Sequence, residues 1–271
     1  MVATLLHEIP LQGGDVTDGV VRVGDTVRRP VSSSTPAVHA LLRHLEVVGF
    51  AGAPRVLGMD GLGREVLTYL PGTTGLRLES ASDEALGCLG GLLRAFHDAT
   101  AGFPLTMEGW EGGSNDDREP EVIGHCDLTP DNVVFRAGGA GGTTADAGFV
   151  PYALIDFDLA RPTTRLFDVV TTLRHWAPIA DPVDRPPLLR NVDVGARLRL
   201  FCDAYGVPAR ERRRLIELAR LRFHRSYVVM RGRAAAGGNW AKMWAGGAGE
   251  RIRRAAAWLD VHEDELHAHL V

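Results

Sequence analysis

Lysine is almost missing from this chain. Of its 271 residues, 30 are basic, and only Lys242 is a lysine; the rest are arginine. An amine that grips phosphate is therefore excluded from every position before 242. The arginine bias itself reads as a property of the source genome's composition. Cysteine is scarce as well. Cys88, Cys126 and Cys202 are odd in number and fit neither a disulfide framework nor a metal spacing, which points to a reducing, cytoplasmic setting. No apolar run approaches the roughly 18–20 residues of a membrane span, and the N-terminal stretch is too polar and acidic for a signal peptide. No internal repeat is visible. Net charge is −4, which singles out no nucleic-acid or membrane partner. What is present is ample apolar content, 45%, enough for a packed core in one large or two smaller domains.

The front of the chain has strand character. Val20–Val23 and Thr26–Arg29 flank a Gly24-Asp25 turn, preceded by a glycine turn at Gly13-Gly14. Thr35-Pro36 opens a helix with Thr as N-cap, and Val38, Leu41, Leu42 and Leu45 follow at helical spacing. Residues 54–57 and 65–70 are predicted strands joined by a turn at Gly61-Leu62-Gly63. Ser82 caps a helix carrying Leu86, Leu89, Leu93 and Phe96. Residues 103–120 read as loop. Two strands, 133–135 and 152–155, flank a stretch at 137–148 of almost only Gly, Ala, Thr and Asp, read as a flexible hairpin tip. Helices are expected over 166–176, 194–205, 208–233 and 248–270. The predicted fold class is α+β and bilobal. A small β-rich N-terminal lobe, 1–70, precedes a larger, mostly helical lobe, 71–271.

Between the strands lies the stretch with the most chemistry: His125-Cys126-Asp127-Leu128-Thr129-Pro130-Asp131-Asn132, then Ile155-Asp156-Phe157-Asp158. An Asp and an Asn sit five residues apart on a loop. A second Asp follows at the end of an apolar strand. Phosphoryl transfer needs alignment and charge neutralisation more than covalent help. Asp127 would accept or orient the proton of a hydroxyl. Asn132 and Asp156 are hard oxygen donors suited to Mg²⁺. Asp158 would be a second ligand or a structural acceptor. Each short match alone could be an ordinary turn; both together, in order and beside apolar strands, are far more specific.

These motifs resemble the aminoglycoside phosphotransferase and choline kinase group, small-molecule kinases of the protein-kinase-like fold. Protein kinases carry Arg between the His and the Asp. This group has a small residue there, as Cys126 is. Asp168 in Leu166-Phe167-Asp168-Val169 matches an Asp that commonly follows. The resemblance implies a phosphotransferase using ATP, or GTP, with Mg²⁺, acting on a hydroxyl of a small molecule. It implies a hinge at Thr68, Tyr69 and Leu70, whose Tyr69 and Leu70 backbone groups meet the nucleotide base, and Gly13 and Gly14 over its phosphates. His125 and Asp168 are expected to hold the loop by hydrogen bonds.

The resemblance also locates a gap. A basic residue on the third strand normally grips the phosphates. Here the segment is Val27-Arg28-Arg29-Pro30, like the Arg-bearing branch of the family. Arg28 is the first choice and Arg29 the fallback; both stay charged and can hold phosphate in a bidentate way. The usual helix glutamate falls near Val38-His39, where there is no acid, so the partner of this arginine is unassigned. That gap keeps a second reading open: a weak pseudokinase that binds nucleotide or a metabolite as a regulator. A metal-dependent transferase using Asp156 and Asp158 is a third. His97 reads as a packed core histidine. The arginine-rich stretch 210–233 reads as a solvated helix face, Trp240 and Trp244 as core, and His262, His267 and His269 as a solvated terminus. An arginine-rich 200–240 speaks against a polycationic antibiotic as acceptor and leaves sugar, amino alcohol, nucleoside-like and peptide hydroxyls open. Oligomeric state is unknown.

Overall fold

In the computed structural model, residues 7–11, 19–78, 82–106, 108–138 and 148–271 are described. The Gly13-Gly14 turn and most of the 137–148 tip lie outside them.

The front of the chain forms one antiparallel sheet of five strands in the order β1 (Ile9–Pro10), β2 (Val21–Val23), β3 (Thr26–Arg29), β5 (Glu65–Thr68) and β4 (Val56–Met59). The Gly24 turn works because Gly24 takes φ 59°, a left-handed conformation natural to glycine. β3 pairs with β5 so that Arg28 faces Val66 and Arg29 faces Glu65. Helix α1 (Thr35–Val47) crosses this sheet and buries Val38, Leu41, Leu42 and Leu45. It starts one position earlier than the sequence suggests, with Ser34 as N-cap. Thr35 lies within the helix, and its hydroxyl accepts from the Ser32 amide at 2.9 Å.

Beyond the hinge, a short strand β6 (Thr73–Thr74) leads into helix α2 (Asp83–Thr100), capped as expected by Ser82, whose Oγ accepts from the Ala85 amide. Two small sheets then hold the motifs. β7 (Val122–Gly124) pairs with β10 (Arg161–Thr163). β8 (Val133–Ala137) pairs with β6 and with β9 (Phe149–Leu154). Six helices follow: α3 (Arg165–Trp176), α4 (Val194–Tyr205), α5 (Ala209–Arg212), α6 (Leu215–Ala235), α7 (Gly238–Ala245) and α8 (Ala248–Val261). A final helix, α9 (Glu263–Leu270), ends the chain. The expected helix over 208–233 is therefore two, and that over 248–270 breaks at His262. The core runs from Leu41 and Phe50 through Phe96, Phe157 and Phe167 to Phe201 and Leu259, joining both lobes. No described helix is long and apolar enough to cross a membrane.

Candidate active site

The loop after β7 is built around one buried carboxylate. Asp168, in the first turn of α3, is fully buried. Its Oδ2 accepts from the His125 amide and its Oδ1 from the Cys126 amide, both at 2.8 Å. Oδ2 also lies 2.9 Å from Nε2 of His97, whose Nδ1 is 2.7 Å from the Tyr205 hydroxyl. Burial alone would raise the Asp168 carboxyl. The bond and charge of His97, with His125 and the Cys126 amide, outweigh that and hold it below the usual value. This grip keeps Cys126 at φ 61°, a costly conformation for a residue with a Cβ. Gly124 must be small for the same reason: a Cβ there would stand 2.5 Å from Thr163 Cγ2 and 2.9 Å from Asp168 Oδ2. His125 is buried, with Nε2 3.0 Å from the Ile155 carbonyl oxygen, so it ties the first motif to the second. Burial lowers its pKa, which suits a structural imidazole. His97 is core, as expected, but it is also part of this relay.

Asp127 follows at the cleft. Asn132 donates through Nδ2 to the Asp127 carbonyl at 2.8 Å and to its Oδ2 at 3.0 Å. That engages the amide nitrogen and leaves Oδ1 as the carboxamide's remaining acceptor. Burial, then the nearby Asp156 charge, push the Asp127 carboxyl up to about 7. Asp156 has φ 63°, the second non-glycine residue in the left-handed region among the described residues. Both strained positions therefore sit in the two motifs.

On the opposite wall the arginine that faces the cleft is Arg29, not Arg28. Strand alternation puts Val27 and Arg29 on the cleft face of β3 and Arg28 on the other. Arg29 is buried. Its Nη1 donates to Asp156 Oδ1 at 3.1 Å, and its Nη2 bonds Asp158 Oδ2. Its Nε lies 3.2 Å from Glu65 Oε1, too bent for a hydrogen bond. Glu65 Oε2 in turn lies 2.7 Å from His39 Nε2. The carboxylate beside this arginine therefore stands on a strand, directly across from it, and the helix position where an acid was sought carries the histidine that contacts it. Burial would lower the Arg29 pKa, but the charges of Asp156, Asp158 and Glu65 raise it instead.

Two cavities meet at this point. One, about 630 Å³, lies under the sheet and is lined by Val27, Arg29, Leu67, Thr68, Tyr69 and Leu70. Thr68, Tyr69 and Leu70, the expected hinge residues, thus stand together on this cavity's wall. The Tyr69 amide already donates to the Asp25 carbonyl at 2.9 Å. The Tyr69 carbonyl and the Leu70 amide and carbonyl are the remaining backbone groups of that pair. The other cavity, about 410 Å³, opens among the helices and is lined by Asp127 together with Arg161, Arg174, Arg222, Met230 and Trp240. Asp131, Asn132 and Asp156 line both. The stretch 210–233 is thus not simply a solvated face: Arg222 is buried and looks into the second cavity. Trp240 is half-buried at the cavity wall rather than in the core.

The donor set fits a magnesium ion. Among the described residues no three His, Cys, Asp or Glu side chains gather as a metal cage. Magnesium needs no such cage, since one or two protein oxygens suffice when phosphates and water complete its octahedron.

A family model described as "Phosphotransferase enzyme family" matches residues 113–216, the span holding both motifs. A curated relative, the trifolitoxin immunity protein of Rhizobium leguminosarum bv. trifolii, is 36% identical over 214 residues, 76% of this chain and 76% of that protein. Three solved structures share the fold. An amicoumacin kinase in complex with AMP-PNP and Ca²⁺ gives a TM-score of 0.57 at 12% identity, covering 94% of this chain and 90% of that one. The GDP complex of wild-type aminoglycoside 2'-phosphotransferase-IIIa gives 0.56 at 15%, covering 93% and 92%. A choline/ethanolamine kinase family protein from Mesorhizobium loti gives 0.52 at 17%, also covering 93% and 92%.

Proposed function

Because the chain belongs to the phosphotransferase enzyme family, we propose that it transfers the terminal phosphoryl group of ATP or GTP to a hydroxyl of a small molecule. The observation that carries this reading is the meeting of the two cavities. Asp127 lines only one of them and Arg29 only the other, while Asn132 and Asp156 line both. A nucleotide in the first and an alcohol in the second would face each other across the carboxamide and carboxylate.

In this reading Asp127 takes the hydroxyl proton; a pKa of about 7 matches a base working near neutrality. Asn132 keeps that carboxylate aimed through its Nδ2 and offers Oδ1, with Asp156, to Mg²⁺. The bound ion would neutralise charge on the nucleotide phosphates. Arg29 supplies the fixed positive charge on the phosphate side, and Glu65 and His39 hold it. The relative's name as an immunity protein supports an acceptor that is toxic until phosphorylated. The test is ADP or GDP release by the full chain across a panel of hydroxyl compounds, with Asp127→Ala and Asp156→Ala as controls. Turnover that persists in both variants would sink the assignment.

One observation favours a second reading. Arg29 already neutralises Asp156 and Asp158. A protein that bound nucleotide without metal, as a regulator, would need that pairing. Equal nucleotide affinity with Mg²⁺ and with EDTA, and no product on any acceptor, would select it.

A further inference from the structure

The acceptor cavity has the wrong charge for a cationic guest. Its acids, Asp127, Asp131, Asp156 and Asp158, belong to the motifs, and two of them also line the nucleotide cavity. Beside neutral Ser114, Thr129, Asn132 and Ser226 and the His175 imidazole, the rest of its polar lining is guanidinium: Arg161, Arg174, Arg222, Arg233 and Arg251. Arg233 is answered by Glu111 at 2.9 Å. The deeper ones are not answered by any carboxylate. Arg222 is only 8% exposed, and its Nε donates to the Thr171 hydroxyl at 3.1 Å. Its Nη1 is buried without a hydrogen-bond partner. Arg161 is 6% exposed; its Nη1 and Nη2 are held by the Leu159 and Ser114 carbonyls, while Nε has no partner. Arg174 makes no hydrogen bond or ion pair among the described residues and rests near the Phe223 ring.

Buried polar atoms are almost always satisfied, and each exception asks for a cause. Two of the exceptions, Arg161 Nε and Arg222 Nη1, are guanidinium atoms that line this one cavity, while those on Arg29, Arg55 and His125 lie outside it. Burial first, then the neighbouring Arg174 charge, push the Arg222 guanidinium down to about 9, so the two cations destabilise each other. Asp127 is the acid whose charge acts on both. Guanidinium planes match carboxylate and phosphate oxygens in geometry as well as charge. The opposite wall is apolar, with Val229, Met230, Trp240, Met243 and Ile252.

We propose that the acceptor is an anion: a hydroxyl compound bearing a carboxylate or phosphate group. That group sits on Arg174 and Arg222, and the apolar part lies against Met230, Trp240 and Ile252. The proposal rests on the phosphotransfer reading for what happens to the hydroxyl, but the anion site itself can be tested separately.

The experiment is calorimetric binding to the full chain, paired with nucleotide-diphosphate release. The probes are 3-phenyllactate and glycerol 3-phosphate as anions, 3-phenyllactamide as the neutral match and phenylalaninol as the cationic one. At least one anion is expected to bind ten-fold or more tighter than the neutral and cationic compounds. Which one separates a carboxylate from a phosphate as the recognised group. Arg222→Gln and Arg174→Gln are each expected to weaken that binding at least ten-fold, with retained nucleotide binding reporting that the variants are folded. No preference for either anion, or a preference that survives in a folded Arg174→Gln, overturns the proposal. Arginine-dependent anion binding with no phosphoryl transfer upholds the site and rejects the enzyme. Transfer to phenylalaninol with both anions ignored does the reverse.

Discussion

Arg28 and Arg29 are neighbours with opposite fates. Arg29 makes charge-assisted contacts inside the cleft; Arg28 lies on the outer face of the same strand. Such contacts are worth about 1.5–3 kcal/mol each. Arg29→Ala should therefore weaken nucleotide binding by roughly 10–100-fold, and Arg28→Ala should change it less than about two-fold; calorimetry with Mg-nucleotide reads both. Asp127 carries a second prediction. Its folded pKa of about 7 lies above the reference of 3.8. The stability it contributes is full below that reference, declines as pH rises through 7, and is absent above. Asp127→Asn should accordingly raise the melting temperature at pH 8 by several degrees and barely change it at pH 4, while lowering kcat by about 10²–10⁴-fold. In the wild type the rate should fall on an acid limb centred near 7. Much of this site was legible in the sequence, because Asp127, Asn132 and Asp156 lie in short local motifs. Arg28 was expected in the cleft and Arg29 is there instead, because alternation says that two neighbours face opposite ways but not which faces in. Glu65 was missed because its partner lies across a strand pair, a contact that no local spacing encodes.

At the scale of elements, α2 and α4 pack closely enough that one glycine sets their distance. A Cβ on Gly90 would meet the Ala204 Cβ at 3.1 Å and the Phe201 carbonyl at 3.2 Å. Gly90→Leu should cost about 1–3 kcal/mol by overpacking, seen as a lower urea midpoint. The damage should reach activity too, since Tyr205 at the end of α4 holds His97, and His97 holds Asp168. Helices α3 and α4 lie within a residue of the expected spans 166–176 and 194–205, and the structure caps them with Thr164 and Asp193. The strands β1, β6, β7 and β10 were not anticipated. Each has only two or three residues, and β7 finds its partner beyond β9, so pattern within the strand has too little length to register. The break at His262 has neither Gly nor Pro to announce it. Which side of the arginine-rich α6 meets the cavity depends on where α7 and α8 pack, a tertiary fact.

For the molecule as a whole, Arg29 is a clip between lobes. It stands on the sheet and reaches Asp156 and Asp158 on the far side of the cleft. Buried pairs of this kind are screened little by salt, and breaking one strands a charge at about 3–5 kcal/mol. Arg29→Ala should let trypsin cut the sheet lobe several-fold faster, and moderate salt added to the wild type should not reproduce this. A cleft that stays closed by its own ion pairs is compatible with a metal-bound nucleotide only if those pairs rearrange, so protection from trypsin should depend on Mg²⁺ and nucleotide together.

The lone lysine has a practical corollary. Lys242 lies exposed on α7, and neither cavity has a lysine in its lining. Acyl-phosphate nucleotide probes, which label ATP-binding proteins by acylating a nearby amine, have no such group to capture in this cleft. A proteome survey built on that reaction would count this protein as silent even while it turned over. Dicarbonyl reagents directed at guanidinium groups are the matching chemistry, with Arg222 and Arg174 as their targets and an anionic acceptor as the protecting ligand.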